Sequence, residues 1–99
     1  MLYAIIAEDA PGALERRLAA RGPHLERLKA LQGAGRLVLA GPHPAIEAAD
    51  PGPAGFTGSL IVAEFASRDA AIAWAAEDPY AAAGVYARVT VKPFRQVLP

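Results

Sequence analysis

Four short runs of apolar, strand-forming residues alternate with helical stretches along this chain, and their order constrains the fold more than any other feature. The strand-like runs cover residues 2–7, 36–41, 58–66 and 85–92. Good helix formers fill the stretch between the first and second runs and the stretch between the third and fourth. The order is therefore βαββαβ, which predicts an α+β fold with both helices on one face of a four-stranded antiparallel sheet.

In this ferredoxin-like topology the first and third strands are central, and the second and fourth strands are edges. Runs 2–7 and 58–66 are apolar at nearly every position, as strands with both faces covered should be. The fourth run alternates, as an edge strand can. Its predicted faces are Val85, Ala87, Val89 and Val91 on one side and Tyr86, Arg88, Thr90 and Lys92 on the other.

The helical stretch after the first strand is predicted to be broken in two. Residues 13–20 carry good helix formers, and Gly22-Pro23 then interrupts them. Proline fits the first turn of a helix, so a new helix is expected from Pro23 to about Gly33. Ser67 is the predicted N-cap of the last helix, which Asp78-Pro79 should end before a short turn.

The composition supplies more apolar surface than one small domain can bury. The 99 residues are predicted to form one domain, residues 1–99, and 54% of them are hydrophobic. With helices on one sheet face, the other face would present an apolar patch that monomers rarely expose. We therefore predict a homodimer in which two sheets pack face to face as a dimeric α/β barrel. The alternative is that the long loop at 42–57 folds over the open face.

Charge and composition exclude several kinds of function. Ten basic and ten acidic residues cancel without a long run of either sign, so nucleic acid is not a predicted partner. The chain has no cysteine, which excludes thiol nucleophiles and thiolate metal sites. No segment approaches the ~20 apolar residues of a membrane span, and the first residues are interpreted as a strand rather than a signal peptide. The expectation is a soluble cytoplasmic protein with no membrane partner.

His24 is the strongest candidate for acid–base chemistry. Leu28 and Leu31 follow it at i+4 and i+7, so the histidine should face the sheet. In the first turn of the predicted second helix a cation is disfavoured, which should help keep the imidazole neutral, as a general base requires. The alternative is an ordinary histidine at the edge of the core, satisfied by a backbone carbonyl.

Asp78 is the candidate partner that would hold the other ring nitrogen of His24 and orient it. The alternative is a purely structural N-cap, since Asp before Pro starts many helices, and one carboxylate can serve both roles. Chain geometry argues against the pair, because the two helices are expected to run parallel, which separates the start of one from the end of the other. Only a bend at Asp78-Pro79 or a break at Gly22 would then bring the two side chains together.

A segment rich in glycine and proline, residues 42–57, is the candidate binding loop, with a tolerated surface excursion as the alternative. Gly41 and Ser59 flank it, where a ligand could approach the backbone closely. His43 is interpreted as a solvated loop residue and Trp74 as part of the core. No nucleotide-binding or metal-ligand pattern is present, so neither a cofactor nor a metal is predicted.

Several short motifs, as a set, resemble those of the YciI-like (YCII-related) family over nearly the whole chain. They are Arg21-x-x-His24-Leu25-x-x-Leu28, Gly41-Pro42, the run from Asp50 to Ser59 (DPGPAGFTGS), Asp78-Pro79-Tyr80 and Val91-Lys92-Pro93-Phe94. The resemblance implies a ferredoxin-like subunit of a dimeric α/β barrel, with a site built on His24 and Asp78. It also implies kinship with an enzyme that removes chloride from a chlorinated hydroxyquinol, and similarity in fold to muconolactone isomerase.

These observations predict a small-molecule lyase or isomerase in which His24 moves a proton and Asp78 orients the imidazole. Arg21, Gly41, Ser59 and Tyr80 are predicted to contact the substrate. Arg21 would attract an anion, and the alternative is that it is an ordinary solvated arginine. The alternatives are a non-catalytic dimer that binds a small ligand or has a regulatory role, and an interaction domain.

Overall fold

The architecture is a four-stranded antiparallel sheet with helices on one face. In the computed structural model, which describes residues 1–99, the strands are β1 (Leu2–Asp9), β2 (Leu37–Pro44), β3 (Phe56–Glu64) and β4 (Tyr86–Phe94). Their order across the sheet is β2-β3-β1-β4, and every neighbouring pair is antiparallel. The predicted ferredoxin-like α+β fold, with two central and two edge strands, is confirmed.

Three α-helices and one short 3-10 helix complete the fold: α1 (Leu14–Gly33), α2 (Arg68–Ala76), α3 (Pro79–Ala82) and the 3-10 helix Gly52–Ala54. The main core lies between the sheet and helices α1 and α2. Its buried members are Tyr3, Ile5, Leu28, Leu31, Ile61, Ala63, Phe65, Ala71, Ala75 and Val91. Trp74 packs against this cluster, as predicted. No helix has both the length and the apolar character needed to cross a membrane.

One continuous helix, α1, stands where two helices were predicted, so the predicted break at Gly22-Pro23 is wrong. Pro23 lies inside the helix and cannot donate a hydrogen bond to the carbonyl of Ala19. Ala19, Gly22 and Pro23 are all exposed, so water can satisfy that carbonyl. The buried face keeps one helical spacing across the proline, and its packing outweighs the missing bond. His24 therefore lies in the middle of a helix, and the predicted influence of a helix N-terminus on its charge does not apply.

Helices α1 and α2 run antiparallel, and the prediction that they run parallel is wrong. Each helix returns along the strand that precedes it, and β1 and β3 are themselves antiparallel. The contacts agree, because Arg27 of α1 reaches the carbonyl of Trp74, whereas His24, earlier in α1, reaches Asp78 beyond the end of α2. The end of α2 thus lies beside the middle of α1, and no special bend is needed to join His24 and Asp78.

Both edge strands continue through prolines that follow the runs at 36–41 and 85–92. Strand β2 includes Pro42 and Pro44, and β4 includes Pro93. An edge strand tolerates proline because one row of its backbone N–H groups has no strand partner. The irregular segment between β2 and β3 is therefore shorter than the predicted loop at 42–57, and the 3-10 helix interrupts it.

A β-bulge between β1 and β4 corrects the predicted faces of β4. Glu8 pairs with Arg88, but the next residue, Asp9, pairs with Tyr86, so Ala87 is the extra residue. Tyr86 consequently shares the helix-covered face of the sheet with Asp9, and not the opposite face, where simple alternation placed it. The bulge lies at the end of the sheet that carries the candidate site.

Candidate active site

His24 and Asp78 form a buried pair. The Nδ1 atom of His24 lies 2.8 Å from Oδ1 and 2.9 Å from Oδ2 of Asp78. The two residues are 6% and 2% exposed. Because a carboxylate only accepts hydrogen bonds, this contact favours the tautomer that carries its proton on Nδ1 and leaves Nε2 as an acceptor.

Asp78 also serves as the N-cap of α3, so its two predicted roles coexist. Its Oδ1 atom accepts a hydrogen bond from the backbone N–H of Tyr80 at 2.8 Å, and Pro79 occupies the first helical position. The cap fixes the carboxylate, and the carboxylate fixes the imidazole. A local helix-start signal thereby determines the orientation of a side chain 54 residues away in sequence.

Tyr80 holds the face of the His24 ring. The two rings are stacked with centroids 3.8 Å apart and planes 13° from parallel. Tyr80 is 2% exposed, and burial raises the pKa of its hydroxyl, while the positive charge of Arg17 opposes that rise. His24 is thus restrained at its edge by a carboxylate and on its face by an aromatic ring.

A cavity of about 620 Å³ opens beside His24, within the size range of small-ligand pockets. It lies between α1, the helix-covered side of β2 and β3, and the segment that joins those two strands. Its walls are largely apolar side chains: Leu14, Leu18, Leu25, Leu28, Ala40, Pro42, Pro53, Phe56 and Ile61.

The structure brings five of the six predicted site residues to this cavity and leaves the sixth directly behind them. The five that line it are Arg21, His24, Gly41, Ser59 and Tyr80. Asp78 lies behind His24. The candidate loop contributes Asp50, Gly52 and Pro53 to the wall, whereas His43 is exposed and pairs across the sheet with Gly58.

Arg17 is the cavity residue that the sequence analysis missed. It is 4% exposed, and its Nε and Nη2 atoms donate to the two carboxylate oxygens of Asp9 at 2.8 and 2.7 Å. Nη2 also donates to the Ser59 hydroxyl at 3.0 Å, so Ser59 already has a partner within the protein. Burial by itself lowers the pKa of Arg17, but the contact with Asp9 outweighs it and the net shift is upward, so the guanidinium stays charged.

Two aromatic rings flank the Arg17 guanidinium. Its central carbon lies 4.7 Å from the ring centre of Tyr80 and 5.4 Å from that of Phe56. Since Tyr80 also stacks on His24, the imidazole, the phenol and the guanidinium form one packed series along the cavity.

A sequence signal for Arg17 existed, but the predicted helix break concealed it. Arg17, Arg21 and His24 stand at i, i+4 and i+7, which is one face of a continuous helix. Asp9, at the end of β1, had no motif to mark it.

Tyr86 closes the buried end of this cluster. Its hydroxyl is buried and makes no hydrogen bond. Burial raises the pKa of Tyr86 well above its usual range, the negative charge of Asp78 adds to the rise, and Ser59 and Arg17 oppose it.

Comparison with known proteins agrees with the motifs. A family model described as the YCII-related domain matches residues 1–95. The chain belongs to the YCII-related family. Protein YciI of Escherichia coli O6:H1 is 58% identical over 97 residues, which cover 98% of this chain and 99% of that protein. An uncharacterized protein of Haemophilus influenzae is 57% identical over an alignment of the same length and coverage.

A solved enzyme structure shares the fold of this YCII-related protein. It is 5-chloro-2-hydroxyhydroquinone dehydrochlorinase from Burkholderia phenoliruptrix in complex with 2,5-dihydroxybenzoquinone. The TM-score is 0.83 and the identity 27%, and the match covers 96% of this chain and 94% of the other. The fold described above is therefore related to that of an enzyme with a small-molecule substrate.

Proposed function

We propose that this protein is a small-molecule enzyme of the lyase or isomerase type, in which His24 takes up and returns a proton at Nε2. The observation that carries the proposal is the contact of Nδ1 with both oxygens of Asp78. A carboxylate in that position fixes the tautomer and the ring orientation, and it stabilises the imidazolium that forms when Nε2 takes a proton. Asp78 is the orienting group and His24 the acid–base group.

The cavity supplies the substrate-binding part of the proposal. Arg21 lies at its edge, is exposed, and has no ion pair or hydrogen bond with another side chain, so its charge is available to attract an anion. Gly41 offers backbone without a side chain, and a Cβ there would meet open space. Ser59 and Tyr80 act by holding Arg17 and His24 in place. The related dehydrochlorinase, which was solved with a quinone, supports a small cyclic compound as the substrate class.

Proton exchange in heavy water tests this proposal without knowledge of the natural substrate. A panel of small enolisable ketones, lactones and keto acids is incubated with the protein in D₂O, and loss of the α-proton signal is followed by NMR. We expect faster exchange for at least one panel member. General acid–base catalysis contributes about 10²- to 10⁴-fold, so the His24→Ala variant should lose that factor.

The second histidine provides the matched control, because His43 is exposed and does not itself line the cavity. The His43→Ala variant should exchange protons at the wild-type rate. Exchange that is equally fast in His24→Ala would contradict the assigned role. Binding of panel members without any exchange would favour the alternative, a non-catalytic ligand-binding dimer.

We also propose that a second copy of this chain covers the open face of the sheet. The register and alternation of the strands place Leu2, Ile6, Leu39, Leu60 and Phe94 on that face. Leu39 is 47% and Phe94 39% exposed, and the other three are partly exposed. Face-to-face packing about a twofold axis would bury this set on both copies at once.

A further inference from the structure

The Arg17 guanidinium is a charged group in the cavity that the proposed chemistry of His24 does not use. Such a group is expensive to bury, and here it is 4% exposed and held from several sides. Two of its three nitrogens, Nε and Nη2, donate hydrogen bonds to Asp9 in a bidentate contact. Nη2 donates a second hydrogen bond to the Ser59 hydroxyl. The fork is therefore fixed in one orientation before any ligand arrives.

The third nitrogen, Nη1, takes part in none of these hydrogen bonds. Two side-chain polar atoms of the protein are fully buried without a hydrogen-bond partner, Nη1 of Arg27 and the hydroxyl of Tyr86. Nη1 of Arg17 is not one of them. Nη1 of Arg17 must therefore retain contact with open space, and the open space that Arg17 lines is the cavity beside His24. Its two N–H groups are held in a fixed orientation and are used by neither Asp9 nor Ser59.

We propose that Nη1 of Arg17 is the oxyanion donor of this cavity, and that the site takes small conjugated acids whose ionised oxygen it binds. A guanidinium whose orientation is fixed by a carboxylate on its far side suits a phenolate, an enolate or a carboxylate, because charge-assisted hydrogen bonds are strong and directional. The apolar walls suit the carbon body of such a molecule. The Phe56 and Tyr80 rings restrain the guanidinium and restrict its access to water.

The positions of Arg17 and His24 suit the two ends of one reaction. They are seven residues apart on one face of α1, which is two turns and about 10 Å along the axis. A ring-sized molecule between them can present a C–H bond to His24 and its conjugated oxygen to Arg17.

The step that joins the two groups rests on the proposed function of His24. Nε2 takes the proton from a carbon next to a carbonyl, the C–H electron pair forms a new C=C bond, and the carbonyl π pair moves onto oxygen. Arg17 stabilises the resulting enolate. Return of the proton to another conjugated carbon restores neutral His24 and completes an isomerisation with no oxidant or reductant.

Binding measurements with two matched probes test the role of Arg17. The anionic probe is 2,5-dihydroxybenzoquinone, and the neutral probe is 2,5-dimethoxybenzoquinone, which has the same ring but no ionisable hydroxyl. We expect the wild-type protein to bind the anionic probe more tightly in calorimetric titrations near pH 7.5. In a variant without Nη1, the anionic probe loses a hydrogen bond to a charged group, so its affinity should fall by about 10- to 100-fold. The affinity for the neutral probe should stay unchanged.

The choice of variants allows for the buried charge of Asp9. Removing Arg17 alone would strand that carboxylate, so the test variant is Arg17→Met combined with Asp9→Asn. If this pair does not fold, Arg17→Lys keeps the ion pair with Asp9 but lacks Nη1, and it should show the same selective loss. The matched control is Arg16→Met, because Arg16 is exposed and contacts the carbonyl of Gly84 outside the cavity.

The outcomes separate this inference from the proposed function. An equal loss of affinity for both probes in a folded variant overturns the role of Arg17. A wild-type protein that binds neither probe overturns it as well. Arg17-dependent binding of the anionic probe, in a protein that fails the proton-exchange test, leaves the anion site standing and removes the catalysis. Proton exchange that depends on His24, with no dependence of anion binding on Arg17, overturns only the present inference.

Discussion

The buried side chains that define the site restrain one another, with the exception of the Tyr86 hydroxyl. His24 is restrained by Asp78 and Tyr80, and Arg17 by Asp9. The Tyr86 hydroxyl is buried without a hydrogen bond, so its proton is held by desolvation of the phenolate and not by an acceptor.

We predict that Tyr86→Phe is nearly neutral at pH 7 and protective at high pH. The pKa of Tyr86 is raised in the folded state, so between the ordinary value of 10.0 and the folded value only the unfolded chain releases the proton. The free energy of unfolding of the wild-type protein should therefore fall as pH rises above 10.0. The free energy of unfolding of the variant should fall less steeply with pH. At pH 7 it should lie within about 1 kcal/mol of the wild-type value, because no hydrogen bond is lost.

Urea unfolding at pH 7 and at two values above pH 10 measures both effects. The remaining slope of the variant should reflect Tyr80, whose pKa burial also raises. Equal alkaline slopes in the two proteins would contradict the environment assigned to Tyr86.

Among elements, α1 decides the geometry of the site, because it carries Arg17, Arg21 and His24 on one face. Treating Gly22-Pro23 as a boundary concealed that face, although the general position of both helices was predictable from composition. The predicted second strand ended at residue 41, directly before Pro42, whereas β2 continues through Pro42 and Pro44. Proline did not mark the end of an element where tertiary packing, as in α1, or an edge position, as in β2, made it tolerable.

We predict that Pro23→Ala stabilises the protein by about 1–3 kcal/mol. Inside a helix, alanine restores a backbone hydrogen bond that proline cannot make. If Pro23 instead began a separate helix, the same change would be neutral or unfavourable, because proline suits that position. Urea unfolding distinguishes the two cases. The neighbouring Gly22→Ala variant, with open space around its added methyl group, should gain only about 0.5–1 kcal/mol.

At the scale of the whole molecule, the sheet has one face covered by helices and one face open. The sequence predicted this division from the βαββαβ order alone, and it predicted which strands are central. It could not predict that Tyr86 lies on the covered face, because a one-residue bulge reverses the alternation there. The prediction that α1 and α2 run parallel was also wrong. Their antiparallel arrangement follows from the antiparallel pairing of β1 and β3.

We predict that Ile6→Glu gives a folded monomer. Ile6 lies on the central strand of the open face, opposite Leu60 and Thr90, where a charge would be buried without a partner in a face-to-face dimer. Sedimentation at micromolar concentration should give twice the chain mass of 10.3 kDa for the wild-type protein and the single mass for the variant. Val97→Glu, in the exposed C-terminal segment, is the control and should remain a dimer. A wild-type protein that sediments as a single chain would contradict the proposal.

The proposed function requires a neutral His24 ring that donates from Nδ1 to Asp78 and leaves Nε2 as an acceptor facing the cavity. A long-range ¹H–¹⁵N NMR spectrum distinguishes the two neutral tautomers and the imidazolium directly, and exposed His43 provides the internal reference. We predict an Nδ1–H tautomer for His24 in the wild-type protein and its loss in a folded Asp78→Asn variant. An Nε2–H tautomer for His24 in the wild-type protein, or a spectrum that Asp78→Asn leaves unchanged, would show that Asp78 does not orient the imidazole as proposed.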